Sequence, residues 1–544
     1  MNNRKWNNLS HADSGEESAD KIVTQAENEL SVRYRLNGFY SQSSALDDYI
    51  YLDMPKAGHV AEKGSPMLIQ EGLFVAIPSG AEYSSFSVNV ITEQEIGGEY
   101  NILPVPENVL EGQELVFEPN QAIYSSDDFY PDTPVKYIGT IEVGGTKCVH
   151  LSVCPFRYQP PAKKLIALTA VDITIKFDSS GSHDNLSGSL DSVFASQILG
   201  ISSCPQTKDG QPKKRMIIVT TDDLIDPLRI LEGVKTFLYD VTSVTIEGLR
   251  KTYPGLSDVL AIRTYLMAEH AKSPLSYVLL GGNTDKIPTE MITTATGTTA
   301  NDNYYCSGDD RAKPLPLFAL GRLPVSTVAL MNSAVDFAAC YNRFFNNLRK
   351  EAVFTSYNDV SRGYEQCKRD IKSTLAGDFV IVERYDGSAT KTQLINSINS
   401  GTGFVNYRGH GANDCWQSGN GLGVSDIPGL SVGRNTPNVF SIACNNNAIY
   451  ASNCFGTAWI ANNKAITFLS ASAPSYTVTN HCFDKFLWEA IHTQKLTVIG
   501  DIFVWATIEL YRNYPDRYTV CNILEYLLLG DPSVDYMDDK RDTN

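Results

Sequence analysis

Two short blocks in the last third of the chain each carry a buried-strand pattern into one reactive side chain. Gly403-Phe404-Val405-Asn406-Tyr407-Arg408-Gly409-His410-Gly411 leads to His410, and Asn438-Val439-Phe440-Ser441-Ile442-Ala443-Cys444 leads to Cys444. Parallel strands present their carboxyl ends at one sheet edge, so a His and a Cys placed there can meet across a crevice. The chemistry this predicts is a thiol nucleophile, Cys444, served by an imidazole base, His410. A free thiol is mostly protonated near neutrality, and an imidazole that accepts its proton raises the thiolate fraction. Attack on a peptide carbonyl then makes an oxyanion that wants two N–H donors, for which the amides of Gly411 and Cys444 are the candidates. A lone His or Cys ending an apolar run is ordinarily packing. Here Gly409 and Gly411 let the backbone turn sharply around the histidine, and Asn445-Asn446-Asn447 suit a strand-to-helix turn opening on solvent. Both surroundings favour catalysis.

The elements that must position these groups follow from hydrophobic periodicity. From Arg215 onward strands alternate with helices: a strand over 216–219, helices over 227–239 and 256–271, a strand over 277–280. That pattern predicts a parallel sheet covered on both faces, hence an α/β unit over 215–536, in two subdomains meeting near 325. Between 31 and 178 the runs are short and alternating, as in Phe86-Ser87-Val88-Asn89-Val90-Ile91, and Val171, Ile173, Ile175 and Phe177 share one strand face. This is an all-β sandwich or barrel. A Ser/Gly-rich stretch beginning at Ser179 reads as a linker over 179–214, and the segment before Ser31 reads as disordered.

With 544 residues and 42% hydrophobic content, the chain can build several cores. Its net charge of -17 argues against nucleic acid or anionic membrane as partner, and no apolar run approaches a membrane span. Eleven cysteines without CxxC pairs argue against a disulfide framework or zinc cluster. Residues 1–26 hold no apolar core of signal-peptide length, so as written the chain is cytoplasmic or has had a signal removed. No Gly-x-x-x-x-Gly-Lys or His-Glu-x-x-His occurs, and the glycines of Gly419-Asn420-Gly421-Leu422-Gly423 read as a flexible rim of the crevice.

Tyr277-Val278-Leu279-Leu280-Gly281-Gly282, Asp302-Asn303-Tyr304-Tyr305, Gly321-Arg322-Leu323-Pro324-Val325, the His410 and Cys444 blocks, Cys454-Phe455 and Gly530-Asp531-Pro532-Ser533 fall in the order of the gingipain family of cysteine peptidases. The chain resembles that family over about 215–536. The resemblance implies a caspase-hemoglobinase-like catalytic unit with His410 as catalytic histidine and Cys444 as nucleophile. It also implies an acidic residue past the strand Ala352-Val353-Phe354-Thr355-Ser356-Tyr357 that orients the histidine, which falls at Asp359; read from its residues, Asn358-Asp359 is equally a turn pair. Ile77-Pro78-Ser79-Gly80-Ala81, Leu103-Pro104-Val105-Pro106 and Pro155-Phe156-Arg157-Tyr158-Gln159-Pro160 resemble the gingipain propeptide. That makes the β-rich part a prodomain lying against the crevice, released by a cut between 179 and 214; a permanent β domain binding a partner is the alternative. Lys213-Lys214-Arg215 suits a trypsin-like cut and Asp209-Gly210 an acidic-specific one. Relatives are typically secreted, hold calcium, and continue past Gly530-Asp531-Pro532 into further domains; the chain as given is expected to lack those. The resemblance therefore leaves calcium to consider at Asp302, Asp309-Asp310 or Asp222-Asp223, whose own residues read as solvated loops; no cofactor is required.

Specificity is where the chain departs from its famous likenesses, which cut after arginine or lysine. Where arginine-specific members place an aspartate, this chain reads Ser361-Arg362-Gly363-Tyr364-Glu365, and Arg408 replaces a small residue on the wall of the same pocket. Arg408 either faces the substrate and selects an acidic P1 side chain, or pairs with Glu365 or another internal acid. Tyr364, Glu365, Arg408 and Tyr476 are thus the substrate-binding candidates, Tyr476 as an aromatic wall. Three functions fit: a cysteine endopeptidase made as a zymogen and acting on protein or peptide, a sortase-like transpeptidase, and a binding protein with an unused site.

Overall fold

The computed structural model describes residues 4–9, 18–44, 48–179, 191–201, 213–344, 350–359, 361–375, 377–433 and 436–537. The chain forms two compact units. The first takes residues 1–107, 115–206 and 509–516; the second takes 108–114, 207–508 and 517–544.

The first unit is built from strands. The long strand Lys164–Phe177 pairs antiparallel with Glu29–Leu36 on one side and Tyr83–Ile96 on the other. Its face of Val171, Ile173, Ile175 and Phe177 is buried against Leu30, Val32, Tyr34 and the strand Ile69–Ala76 of a second sheet. Each such side chain contributes roughly 1.5–3 kcal/mol by leaving water. Two expectations are corrected. Among the described residues of 1–30, Lys5–Asn8 pairs with Gly38–Ser43 and Ala19–Ala26 pairs along Glu29–Leu36, where the ladder supplies the order that the polar composition hid. Within 179–214, a helical turn Ser192–Ala195 and a strand Ile198–Leu199 parallel to Ile69–Ala76 extend the β unit past Asp178. The Asp209-Gly210 site lies outside the described residues.

The second unit carries one ten-stranded sheet. Its order is Asp240–Thr245, Arg215–Thr220, Leu275–Gly281, Ala319–Leu323, Tyr526–Gly530, Thr467–Ala471, Asn438–Ile442, Phe404–Arg408, Glu351–Ser356 and Val380–Glu383. The first four run parallel, as do the last five, and Tyr526–Gly530 pairs parallel with the first block and antiparallel with the second. The first four strands all precede residue 325 and the last five all follow it, and Tyr526–Gly530 joins the two blocks. Every residue of Phe404–Arg408 and Asn438–Ile442 is buried, as helices on both faces require. Trp488 of the helix Thr477–His492 packs on Phe354, Phe404 and Phe440, and its indole donates to Asn406 Oδ1 at 2.8 Å. Among the described residues, no helix is long and apolar enough to cross a membrane.

Candidate active site

In the sheet, Arg408 pairs with Ile442. His410 and Cys444 each stand two residues beyond that pair, so neighbouring parallel strands deliver both at one level of one edge. The approach is close: a Cβ on Gly411 would lie 2.4 Å from the Cys444 carbonyl oxygen, and one on Gly409, at φ +155°, 2.5 Å from Tyr357 Cβ. Only glycine fits at either position. The His410 carbonyl accepts from Tyr407 Oη at 2.8 Å and the Gln417 amide at 3.0 Å, while its ring meets Tyr357 and Tyr364 edge-on. Of the asparagines after Cys444, Asn445 is half-buried, whereas Asn446 and Asn447 turn inward. Asn446 is buried and ties the two loops together, donating to the carbonyls of Ala412 and Cys415 and accepting from Ser441 Oγ; Asn447 donates to Leu527 O at 2.8 Å.

Cys444 is 7% exposed, and its sulfur accepts from the Ser475 amide at 3.2 Å, with Ser475 Oγ at 3.6 Å. Burial, then the negative charge of Glu111, pushes the Cys444 thiol up to about 12. Burial also lowers the His410 imidazole below its usual value, with Glu111 opposing and Arg362 and Arg408 adding to the effect. In this state burial thus favours the uncharged form of both side chains.

The charge responsible comes from residues 108–114. This segment lies antiparallel to 475–477: Leu110 bridges Tyr476, the Glu111 amide donates to Ser475 O at 2.9 Å, and the Thr477 amide donates to Val109 O at 2.9 Å. The Glu111 side chain, 1% exposed, meets the Arg408 guanidinium, 0% exposed, at 2.5 Å. It also accepts from Asn480 Nδ2 at 2.9 Å, Thr477 Oγ1 at 3.2 Å and Tyr364 Oη. Arg408 donates to Ile442 O, Thr477 O and His481 Nδ1, and its guanidinium lies over the Tyr364 ring, 4.6 Å from the centroid. Burial works against its proton, but the Glu111 charge prevails and holds it more firmly than usual.

A sequence profile of peptidase family C25 matches residues 209–537, and the C25 propeptide profile matches residues 20–203. The chain belongs to peptidase family C25. It is 21% identical over 442 residues to Gingipain R2 of Porphyromonas gingivalis, covering 75% of this chain and 57% of that protein. The fold is that of two solved structures. One is the Arg-specific cysteine proteinase gingipain R (TM-score 0.53, 19% identity, 61% of this chain and 80% of that one). The other is the complex of Porphyromonas gingivalis RgpB pro- and mature domains (TM-score 0.52, 18% identity, 59% of this chain and 79% of that one). The C25 chain thus has the gingipain-type caspase-like fold behind an all-strand propeptide region.

Against this C25 framework the remaining candidates sort differently. The carboxylate of Asp359 is taken up locally: Oδ1 accepts from the Ser361 amide and hydroxyl, and Oδ2 pairs with Arg362, which also donates to the carbonyls of Gly112 and Gln113. Asp359 is a turn carboxylate that positions Arg362, not the partner of His410. Glu365 points away from Arg408 and forms an exposed i,i+4 pair with Arg369. Tyr364 does enter the Arg408 pocket. Tyr476 pairs its backbone with Leu110 and packs its ring on Tyr518. Of the acids considered for calcium, Asp302 pairs with buried Arg322, Asp309 with Arg263, Asp310 with Lys313 and Asp223 with Lys286. The loop after His410 is anchored, Asn420 being buried and donating to Arg384 O. Glu111, Ser475, Thr477, Asn480 and His481 escaped the sequence reading. A buried acid was called for by Arg408, but nothing local in sequence marked Glu111 as that acid.

Proposed function

We propose that this C25 chain is a cysteine endopeptidase made as a zymogen, with Cys444 as nucleophile and His410 as base. The observation that supports it best is the level placement of the two side chains, each two residues beyond the Arg408–Ile442 pair. His410 takes the Cys444 proton and the thiolate adds to the substrate carbonyl carbon. The oxyanion accepts from the Gly411 and Cys444 amides. His410 then returns the proton to the leaving amine as the C–N bond breaks, leaving a thioester. Water, deprotonated by His410, opens the thioester to acid and free thiol.

Latency fits the same reading. While residues 108–114 stay in place, burial and the Glu111 charge keep the thiol protonated, and a cut between 179 and 214 frees the N-terminal part to leave. Intact-mass analysis and N-terminal sequencing of the wild type beside Cys444→Ala, incubated with reductant with and without calcium, test it. Cutting of the wild type alone supports an autoprocessing peptidase. A wild type that, once nicked in this region by trypsin, cleaves no protein or peptide overturns it.

A further inference from the structure

Resting on the peptidase reading above, we infer that this enzyme cleaves after acidic residues, with Arg408 reading the P1 carboxylate and Glu111 occupying the same subsite in the uncut chain. The segment around Glu111 is bound as a peptide substrate would be, as an added antiparallel strand along 475–477. The peptide group after Glu111 lies beside the catalytic base, since a Cβ on Gly112 would stand 3.7 Å from His410 Cε1. The Gln113 amide donates back to Leu110 O, and Arg362 holds the carbonyls of Gly112 and Gln113. The chain therefore turns away at the bond that a substrate would present.

The pocket is complete for a carboxylate. Arg408, Asn480, Thr477 and Tyr364 converge four donors on two oxygens. Their orientations are fixed from behind. Asn480 Oδ1 accepts from Tyr526 Oη at 2.8 Å and Asn522 Nδ2 at 3.0 Å, which turns its NH2 group toward Glu111. His481 Nδ1 accepts from Arg408 Nε while Nε2 donates to Arg362 O, so the imidazole stays neutral and adds no competing charge. All these groups belong to the catalytic part of the chain and remain when Glu111 leaves. A lysine or arginine at P1 would meet a buried guanidinium of the same sign. Glutamine would fill the space but leave that guanidinium without a counter-charge, a mismatch that sites of this kind reject by orders of magnitude.

The test uses the full chain, as wild type cut between 179 and 214 and as Glu111→Ala, with four peptides differing only in P1: glutamate, glutamine, arginine and lysine. We expect kcat/KM for glutamate to exceed that for glutamine at least about a hundredfold, with arginine and lysine slower still. Because glutamate and glutamine are isosteres, the comparison needs no change at buried Arg408; Arg408→Ala, if it folds, should erase the preference. Cleavage that depends on Cys444 but favours arginine or lysine, or ignores P1 charge, overturns the acidic specificity and leaves the peptidase reading standing. No Cys444-dependent cleavage of any peptide by either form overturns both.

Discussion

Two arginines near strand ends of the same sheet are buried equally and neutralised differently. Arg322, in Ala319–Leu323, holds Asp302 through two bonds of 2.7 Å and donates to the carbonyls of Gly282 and Ile287 at 2.8 Å. Its acid lies 20 residues away, within the same block of strands and helices. Arg408, in Phe404–Arg408, is held by Glu111, a residue 253 positions before the Tyr364 that shares it. In one half of the sheet the counter-charge is a permanent part of the fold. In the other it is carried by a segment from the N-terminal part of the chain, which on the proposed specificity a substrate carboxylate replaces. A buried cation is therefore not by itself a structural or a functional sign; what matters is whether its anion can leave.

The proposed nucleophile, Cys444, sets the scale against which that contrast is measured. Cys444→Ala should abolish hydrolysis, by about 10⁴-fold or more in kcat, while leaving the melting temperature within a few degrees of wild type. Residual turnover near the wild-type rate would remove the catalytic half from the comparison altogether.

The second effect tests permanence directly. Asp302→Ala should cost about 3–5 kcal/mol in urea unfolding, since it strands the Arg322 charge where water cannot reach it. Glu111→Ala should leave the catalytic unit better able to adjust, because its pocket is built to be vacated. Equal losses at both sites would break the contrast.

A smaller, kinetic effect sharpens it. The Cys444 thiol stands at about 12 because of burial and then the Glu111 charge, so in the uncut chain it is protonated and slow to alkylate near neutrality. Glu111→Gln removes the charge, lowers the thiol toward its ordinary value and should shift the pH profile of iodoacetamide labelling at Cys444 to lower pH, raising the rate at pH 7 by about tenfold. Coincident profiles would mean that burial alone sets the thiol.

The smallest effect is expected at Glu365, whose exposed pair with Arg369 touches neither Arg408 nor His410. Glu365→Ala should change stability by less than about 0.5 kcal/mol and peptide kcat/KM not measurably. A large drop in kcat/KM would return Glu365 to the pocket that the sequence first suggested.

Much of the fold was legible before any coordinates, because it rests on local pattern. Apolar-rich runs leading to His410 and Cys444 mark strands buried on both faces, and alternation at Val171, Ile173, Ile175 and Phe177 marks a strand buried on one. Local pattern misled where a polar side chain had a choice of partner. Asp359 chose the adjacent Arg362, and Asn446 and Asn447 turned inward to backbone carbonyls, because a buried carbonyl at the end of a strand must be satisfied and an amide is the right shape to do it.

The sequence alone marked the α/β and all-β halves and the two strands that lead to His410 and Cys444, since hydrophobic period and the conformational demands of glycine act within a few residues. It left Arg408 either facing a substrate carboxylate or paired with Glu365 or another internal acid. Only the tertiary structure decided that the acid is Glu111, that 108–114 lies along 475–477, and that Asn480 and His481 aim the pocket. Ion pairing and strand addition are indifferent to separation along the chain, so their partners are fixed by where the backbone brings them and not by spacing.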